Sequence, residues 1–455
     1  MNAVWSKLTR SLGAFRAARA GNVAITFALA SLPVVGTVGA AVDFSHANSV
    51  KAAMQAALDS TALMLSKDAA TLSNTDLQSK ALSYFNALFT RPEATGIAIS
   101  ATYSIDGGSK VVVNGSVQVP ANFLGVFGYP TIEVGGSATA AWGSTRLRVA
   151  LALDNTGSMA WDGKMTALKA ATKSLLSQLS SAATTNGDVY VSIVPFSKDV
   201  NVGSSNYSQS WIDWTDWAEK NGTCSKTKYT TKSTCTSAGK TWTADSHTTW
   251  NGCVTDRGPS SAPGSSTWDQ VVTVPDGTTN SLWPAEEYSS CPVAMMGLSY
   301  NWTAMNSLVD SMQPRGSTNQ PIGLVWGWQS LVGGGPLTAP PKDPNYTYTD
   351  VIILMSDGLN TQDRWYSSQT PVDNRMYETG NGSGTCANIK SSGVTIYTVQ
   401  VNTGGDPTST LLQNCAGSPD KMIDPSKFYV VTSASGLGAV FAAIGTNLTK
   451  LRVAQ

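Results

Sequence analysis

The stretch Leu147-Arg148-Val149-Ala150-Leu151-Ala152-Leu153-Asp154-Asn155-Thr156-Gly157-Ser158-Met159 decides the fold. Leu147 to Leu153 is an apolar run that reads as a buried strand. Beyond the turn, Met165, Leu168, Ala171, Leu175, Leu176 and Leu179 recur at helical spacing. An acid and two hydroxyls therefore stand at the carboxyl end of a strand, where open α/β sheets bind their ligands. Asp154, Thr156 and Ser158 alternate, so three oxygens point to one side of a tight turn. Hard cations such as Mg2+ take oxygen ligands and keep part of their water. Alone the pattern is weak, because an Asx-type turn produces it without a metal.

Two later segments strengthen it. Arg315-Gly316-Ser317-Thr318-Asn319 precedes a helical run from Ile322 to Leu331. Val351 to Met355 is another apolar strand, running into Ser356-Asp357-Gly358. Further strands read at Val189–Phe196, Val394–Val401 and Phe428–Val431, with helices near 163–180, 302–312, 319–333, 384–392, 408–415 and 436–450. Such alternation predicts a mostly parallel sheet with helices on both faces.

Together the three segments resemble the metal-ion-dependent adhesion site of von Willebrand factor A domains, an Asp-x-Ser-x-Ser pattern completed by a Thr and an Asp from later loops. Thr156 stands at the first hydroxyl position and retains the oxygen. The resemblance implies an α/β, Rossmann-like A domain over 144–455. It also implies a metal site of Asp154, Thr156, Ser158, Thr318 (chosen over Ser317) and Asp357. The three hydroxyls would touch the ion, and the carboxylates would act largely through water. Mg2+ is the expected ion, with Mn2+ or Ca2+ as alternatives. Neutral hydroxyls quench little of its charge, so an open position remains for an Asp or Glu of a protein partner, a charge-assisted contact.

The amino-terminal region carries Lys7, Arg10, Arg16 and Arg19 without an acid, then no charge from Ala20 to Val42. About 20 apolar residues cross a bilayer as a helix. Basic residues ahead of them place the amino terminus in the cytoplasm. The expected organisation is a cytoplasmic tail (1–20), a transmembrane helix (21–43) and a helical plus β stalk (44–143). Val38-Gly39-Ala40 is a passable signal-peptidase site, but the run is long for a signal core and amphipathic helix follows at once. Pilin-type cleavage after Gly21 would want a Glu where Thr26 stands. Helical spacing continues over Phe44–Ser66 and Thr75–Phe89. Alternating and β-branched segments from Ile97 to Ala141, punctuated by Gly107-Gly108 and Gly135-Gly136, read as a small antiparallel unit. The stretch Gly21–Ser66 resembles the amino-terminal region of the TadE/TadG-like Flp pilus-assembly family. Its pairing with an A domain sharpens that resemblance to TadG-like proteins.

Composition excludes some classes. Lys plus Arg and Asp plus Glu balance to zero net charge, so no basic field exists to hold nucleic acid. No Cys-x-x-Cys pair occurs among Cys224, Cys235, Cys253, Cys291, Cys386 and Cys415, which argues against zinc fingers and thioredoxin-like motifs. Downstream of a membrane segment, disulfides are the better reading. Cys386 is expected with Cys415, the other four pairing within an insertion at about 200–300, where the strand–helix alternation stops. The insertion holds Trp211, Trp214, Trp217, Trp242, Trp250, Trp268 and Trp283. It is too long for a structureless loop, so it reads as a disulfide-stapled subdomain. Its tryptophans form either a small core or a surface for a partner or glycan. Both its ends lie near the metal face, which it could flank or cap.

No catalytic constellation appears. The chain has His46 and His247 only, no nucleophile elbow and no Walker-type loop; Asp363, Asp373 and Glu378 read as solvated or structural. The expectation is a single-pass inner-membrane protein, not an enzyme, whose periplasmic or cell-surface domain binds pilus or secretion components. The alternative is an adhesin for a host or matrix ligand outside any pilus system.

Overall fold

Because charge is absent from Ala20 to Val42 and the spacing beyond Asp43 stays helical, Ala20–Leu65 forms one unbroken helix, α1. The computed structural model describes residues 20–105, 108–142, 145–258, 274–332, 336–378 and 382–453. The basic residues of 1–19, Gly107, Ser144 and Trp268 lie outside them. The chain divides into two units, Met1–Trp142 and Gly143–Gln455.

In the first unit, α1 is long and apolar enough to cross a membrane. Phe27, Leu29, Val34, Val35 and Val38 are exposed along its first half. Its second half is amphipathic. Val50, Met54, Ala57, Leu58, Ala62 and Leu65 are buried at helical intervals. They pack against α2 (Asn74–Leu88), which Ser73 caps and which buries Leu77, Ala81 and Phe85. Both helices lie on a three-stranded antiparallel sheet of β1 (Thr95–Ser104), β2 (Ser109–Pro120) and β3 (Thr131–Trp142). Val111, Val113, Val117 and Val119 of β2 face that core, as period-two burial requires.

The second unit is built on a ten-stranded sheet. Its strands are β4 (Thr145–Asp154), β5 (Val189–Phe196), β6 (Val200–Asn201), β7 (Ile212–Asp213), β8 (Cys253–Val254), β9 (Trp283–Glu286), β10 (Met296–Ser299), β11 (Thr347–Ser356), β12 (Thr395–Val401) and β13 (Phe428–Val431). The order is β13-β12-β11-β4-β5-β6-β8-β9-β7, with β10 also pairing on β5. The first five of these are mutually parallel. β4 is followed in sequence by its neighbour on one side, β5, whereas its other neighbour, β11, arrives much later. The order therefore reverses between β4 and β11, and a crevice opens at their carboxyl ends.

Alternate residues of the strands separate two cores. Leu147, Val149, Leu151 and Leu153 of β4, with Val351, Ile353 and Met355 of β11, face α3 (Lys164–Ala182), α4 (Trp302–Ser311) and the last helix, Leu437–Val453. Ala150, Ala152, Ile352 and Leu354 face α5 (Gln320–Leu331). Every residue of α5 is buried, which fits a helix apolar on all sides. Gly323 lets it approach, since a Cβ there would lie 2.4 Å from the Phe196 ring.

The insertion does not stand off as a separate subdomain. Its short strands β6, β8, β9 and β7 extend the main sheet beyond β5. Strands of two to four residues carry too little alternation to be read from sequence. Disulfides join Cys224 to Cys235, Cys253 to Cys291 and Cys386 to Cys415. Trp217, Trp250 and Trp283 are buried, and Trp214 packs edge-on against Trp217 and Trp250. These tryptophans are core.

Candidate metal site at the sheet crevice

Asp154 ends β4 and Asp357 follows β11, so the two carboxylates stand at adjacent strand ends on either side of the crevice. Asp154 is fully buried. One of its oxygens accepts the Thr156 N–H at 2.8 Å, and the other accepts the Ser356 hydroxyl at 2.6 Å. The Thr156 and Ser158 hydroxyls are 3.0 Å apart, and Ser158 donates to Asp357 Oδ1 at 2.6 Å. Four of the five expected side chains thus form one linked cluster. Burial, and then the negative charge of Asp357, push the Asp154 carboxyl up to about 6. Two carboxylates confined together disfavour each other's ionisation unless a counter-charge is present.

Thr318 enters on the loop before α5, where Asn319 caps the helix. Gly157 N–H donates to Gly316 O at 2.9 Å and Arg315 N–H to Asn155 O at 2.7 Å, joining this loop to the first turn. Thr318 N–H donates to Thr361 Oγ1, while its carbonyl accepts from Thr361 and Gln362, joining it to the loop after Asp357. All three loops therefore meet at the crevice. Among the described residues, no three His, Cys, Asp or Glu side chains group to hold a metal. The donor set here is two carboxylates with hydroxyls, chemistry that suits a hard divalent ion retaining water.

Residues 21–65 match the putative Flp pilus-assembly TadE/G-like family. No curated protein matches the chain. Solved structures similar to it include the pilus adhesin SpaC from Lactobacillus rhamnosus GG, at 14% identity and a TM-score of 0.35, covering 78% of this chain and 34% of that one. The chain thus spans about a third of that adhesin. The vWF domain of the type V pili tip protein Mfa5 from Porphyromonas gingivalis has 10% identity and a TM-score of 0.34, covering 69% of this chain and 97% of that one. Proximal thread matrix protein 1 from the mussel byssus, with a zinc-occupied MIDAS motif, has 13% identity and a TM-score of 0.33, covering 66% and 47%.

Several residues at the crevice were not anticipated. The Lys164 ammonium lies 2.6 Å from Asp357 Oδ2, with both side chains nearly buried. Its signal was a cation in the first turn of a helix, where the macrodipole disfavours it unless a carboxylate compensates. Trp161 is 70% exposed beside the cluster, its N–H on Ser158 O, and Leu359 is 53% exposed two residues past Asp357. Asp162 (φ 55°) and Gly163 (φ 70°) form the left-handed turn that carries Trp161 outward.

The insertion flanks this face. Tyr288 Oη accepts the Ser317 N–H at 3.0 Å, and Asn319 Nδ2 donates to Asp256 at 2.9 Å. Arg364, past Asp357, donates to Asp256 O and to Asp216. Asp363 is not solvated. It lies buried 3.5 Å from Arg375, and burial followed by the charge of Asp256 pushes its carboxyl up to about 7. Asp373 accepts from Asn360 and Gln369, and Glu378 from Ser383. His46 lies 3.6 Å from Glu93, and His247 stacks on Trp214.

Proposed function

We propose that this is a membrane-anchored pilus-assembly or adhesion protein that binds a protein partner through a divalent cation, and that it is not an enzyme. The observation that carries the reading is the hydrogen-bonded cluster of Asp154, Thr156, Ser158 and Asp357 at the reversal point of the sheet. Thr156, Ser158 and Thr318 hydroxyls would hold the ion, with Asp154 and Asp357 balancing its charge. The ion, Mg2+ first, would offer a coordination position to a partner's Asp or Glu. Exposed Trp161 and Leu359 supply apolar contact beside that position, and a buried aromatic anchor is the usual centre of a protein interface. The match of residues 21–65 to a pilus-assembly family supports pilus or secretion components as the partner. The apolar half of α1 supports a single span of the inner membrane, with the amino terminus cytoplasmic and the sheet domain periplasmic or at the cell surface.

The test uses Asp154→Ala and Asp357→Ala, each assayed for Mg2+ and Mn2+ binding by calorimetry and for pilus-dependent adhesion. The reading requires loss of both. Folded variants that keep both would overturn it.

A further inference from the structure

The hairpin tip between β2 and β3 is Ala121-Asn122-Phe123-Leu124-Gly125-Val126-Phe127-Gly128-Tyr129-Pro130. No charged residue occurs from Val111 to Ile132. Val126 is 83%, Tyr129 68% and Phe127 54% exposed, an apolar cluster at a loop tip that water would not favour. The tip lies against α1. A Cβ on Gly39 would fall 2.6 Å from Phe123 Cβ, and one on Gly36 would fall 3.1 Å from the Phe127 ring. Glycine at these two positions is what lets the rings reach the helix backbone.

The height of this contact matters. Gly36 precedes Asp43, the first charge after the apolar run, by about two helical turns, or ~10 Å along the axis. Phe127 therefore touches α1 well inside its uncharged stretch. Asp43 is itself buried, its carboxylate accepting the N–H groups of Asn122, Phe123 and Leu124 at 3.0, 2.9 and 2.7 Å.

Four further N–H groups of the loop are met within it. Ala121 N–H donates to Pro130 O, Val126 to Phe123 O, Gly128 to Gly125 O and Tyr129 to Leu124 O. Pro120 and Pro130 have no N–H to satisfy. Backbone entering lipid must meet its hydrogen bonds internally, and aromatic side chains are favoured at the membrane–water interface.

We propose that this tip is a second membrane contact. Phe123, Val126, Phe127 and Tyr129 enter the outer interfacial layer of the bilayer beside α1, and Asp43 ties the loop to the helix at the boundary. The stalk is then held at two points, so it cannot swivel freely about its anchor. The inference rests on the reading of α1 as a membrane span, and the test separates the two.

The full chain is reconstituted in vesicles of phosphatidylcholine and phosphatidylglycerol. A photo-crosslinking benzoylphenylalanine replaces Phe127, Val38 on the helix, or Leu82 on α2, and lipid adducts are read by mass spectrometry. Adducts at 127 and 38 but not at 82 are expected. Adducts at 38 without any at 127 overturn the tip contact and leave the anchor standing. Adducts at neither position remove the anchor and the tip together. A protein–protein adduct at 127 in place of lipid makes the tip an interface between copies and overturns the proposal. Gly39→Leu, which displaces Phe123, should lower lipid adducts at 127 several-fold while sparing those at 38. An unchanged yield at 127 would overturn the tethering role assigned to the helix contact.

Discussion

Lys164→Met tests the charge logic of the crevice. In the parent protein two carboxylates, Asp154 and Asp357, share the site with one ammonium, 2.6 Å from Asp357 Oδ2. A divalent ion arriving there must compete with that ammonium for the same carboxylate. Methionine keeps the apolar stem and removes the charge. Breaking a buried ion pair costs about 3–5 kcal/mol. The Lys164 side chain retains 10% exposure, so a figure reduced below that range, about 2–3 kcal/mol, is the working one. For the Gly143–Gln455 unit that is a fall of roughly 3–5 °C in Tm in EDTA. The same ~2 kcal/mol reappears as affinity, because the ion no longer displaces a cation, and corresponds to roughly 30-fold tighter binding. At a Mg2+ concentration 100 times Kd the ion adds about 2.7 kcal/mol of stability. The variant should therefore regain most of its lost Tm as Mg2+ is titrated. Differential scanning fluorimetry with EDTA and with graded Mg2+ reads both effects. A variant as stable as the parent in EDTA, or one with no larger Mg2+ response, would refute the competition.

Other residues give sharper local tests. Trp161→Ala should leave Tm nearly unchanged, within the ~0.5 kcal/mol usual for exposed positions, yet weaken capture of the native partner about tenfold or more if it is an interface anchor. Replacing Cys386 and Cys415 together by Ser opens a loop of 29 residues and should cost about 3–4 kcal/mol by chain-entropy arithmetic, read as a lower urea midpoint with an unchanged metal response. Gly323→Ala forces a methyl into the Phe196 ring and should cost about 1–3 kcal/mol as overpacking, seen in the same melt. Lys390→Met leaves the Asn414, Cys415 and Met422 carbonyls without the ammonium they share; a loss of about 2–4 kcal/mol is expected from unpaired buried acceptors.

The parts of the fold that were legible are those where one physical requirement acts over many neighbouring residues. β4 alternates between two cores from Leu147 to Leu153 and β11 from Val351 to Met355, so their apolar runs were visible. Asp154 and Asp357 were visible because each ends such a run. Short-range pattern fails where contacts are long-range and single. Lys164 reaches Asp357 across 193 positions, and Asp256 meets Asn319 and Arg364 from the insertion. No periodicity marks such pairs. The insertion's strands are defined by their partners on the sheet edge, not by their own alternation. Asp43 illustrates the same limit. Its charge marked the end of an apolar run, but its task of holding three N–H groups of the β2–β3 tip follows only from the folded hairpin.

The loops that carry the crevice are fastened to one another by their own hydrogen bonds. The Arg315–Asn319 segment is bonded to the first turn through Asn155 and Gly157, to the Asp357 loop through Thr361, and to the insertion through Tyr288 and Asp256. Backbone hydrogen bonds from three directions leave it little freedom to lose, so on the proposed function ion binding would cost little ordering entropy. The group that an ion would have to displace is a side chain, the Lys164 ammonium. On the proposed function, a site with a rigid frame and an internal cation as its resident counter-charge would be stable without metal and would not be obliged to hold one tightly. On the proposed function, partner binding would favour the ion, because a carboxylate brought by the partner would offset the surplus positive charge that the ion and the Lys164 ammonium together bring to Asp154 and Asp357. Ion and partner should accordingly bind with positive and reciprocal coupling, each raising the affinity for the other by the same factor, and Lys164→Met should shrink that factor by making the ion's hold independent of the partner.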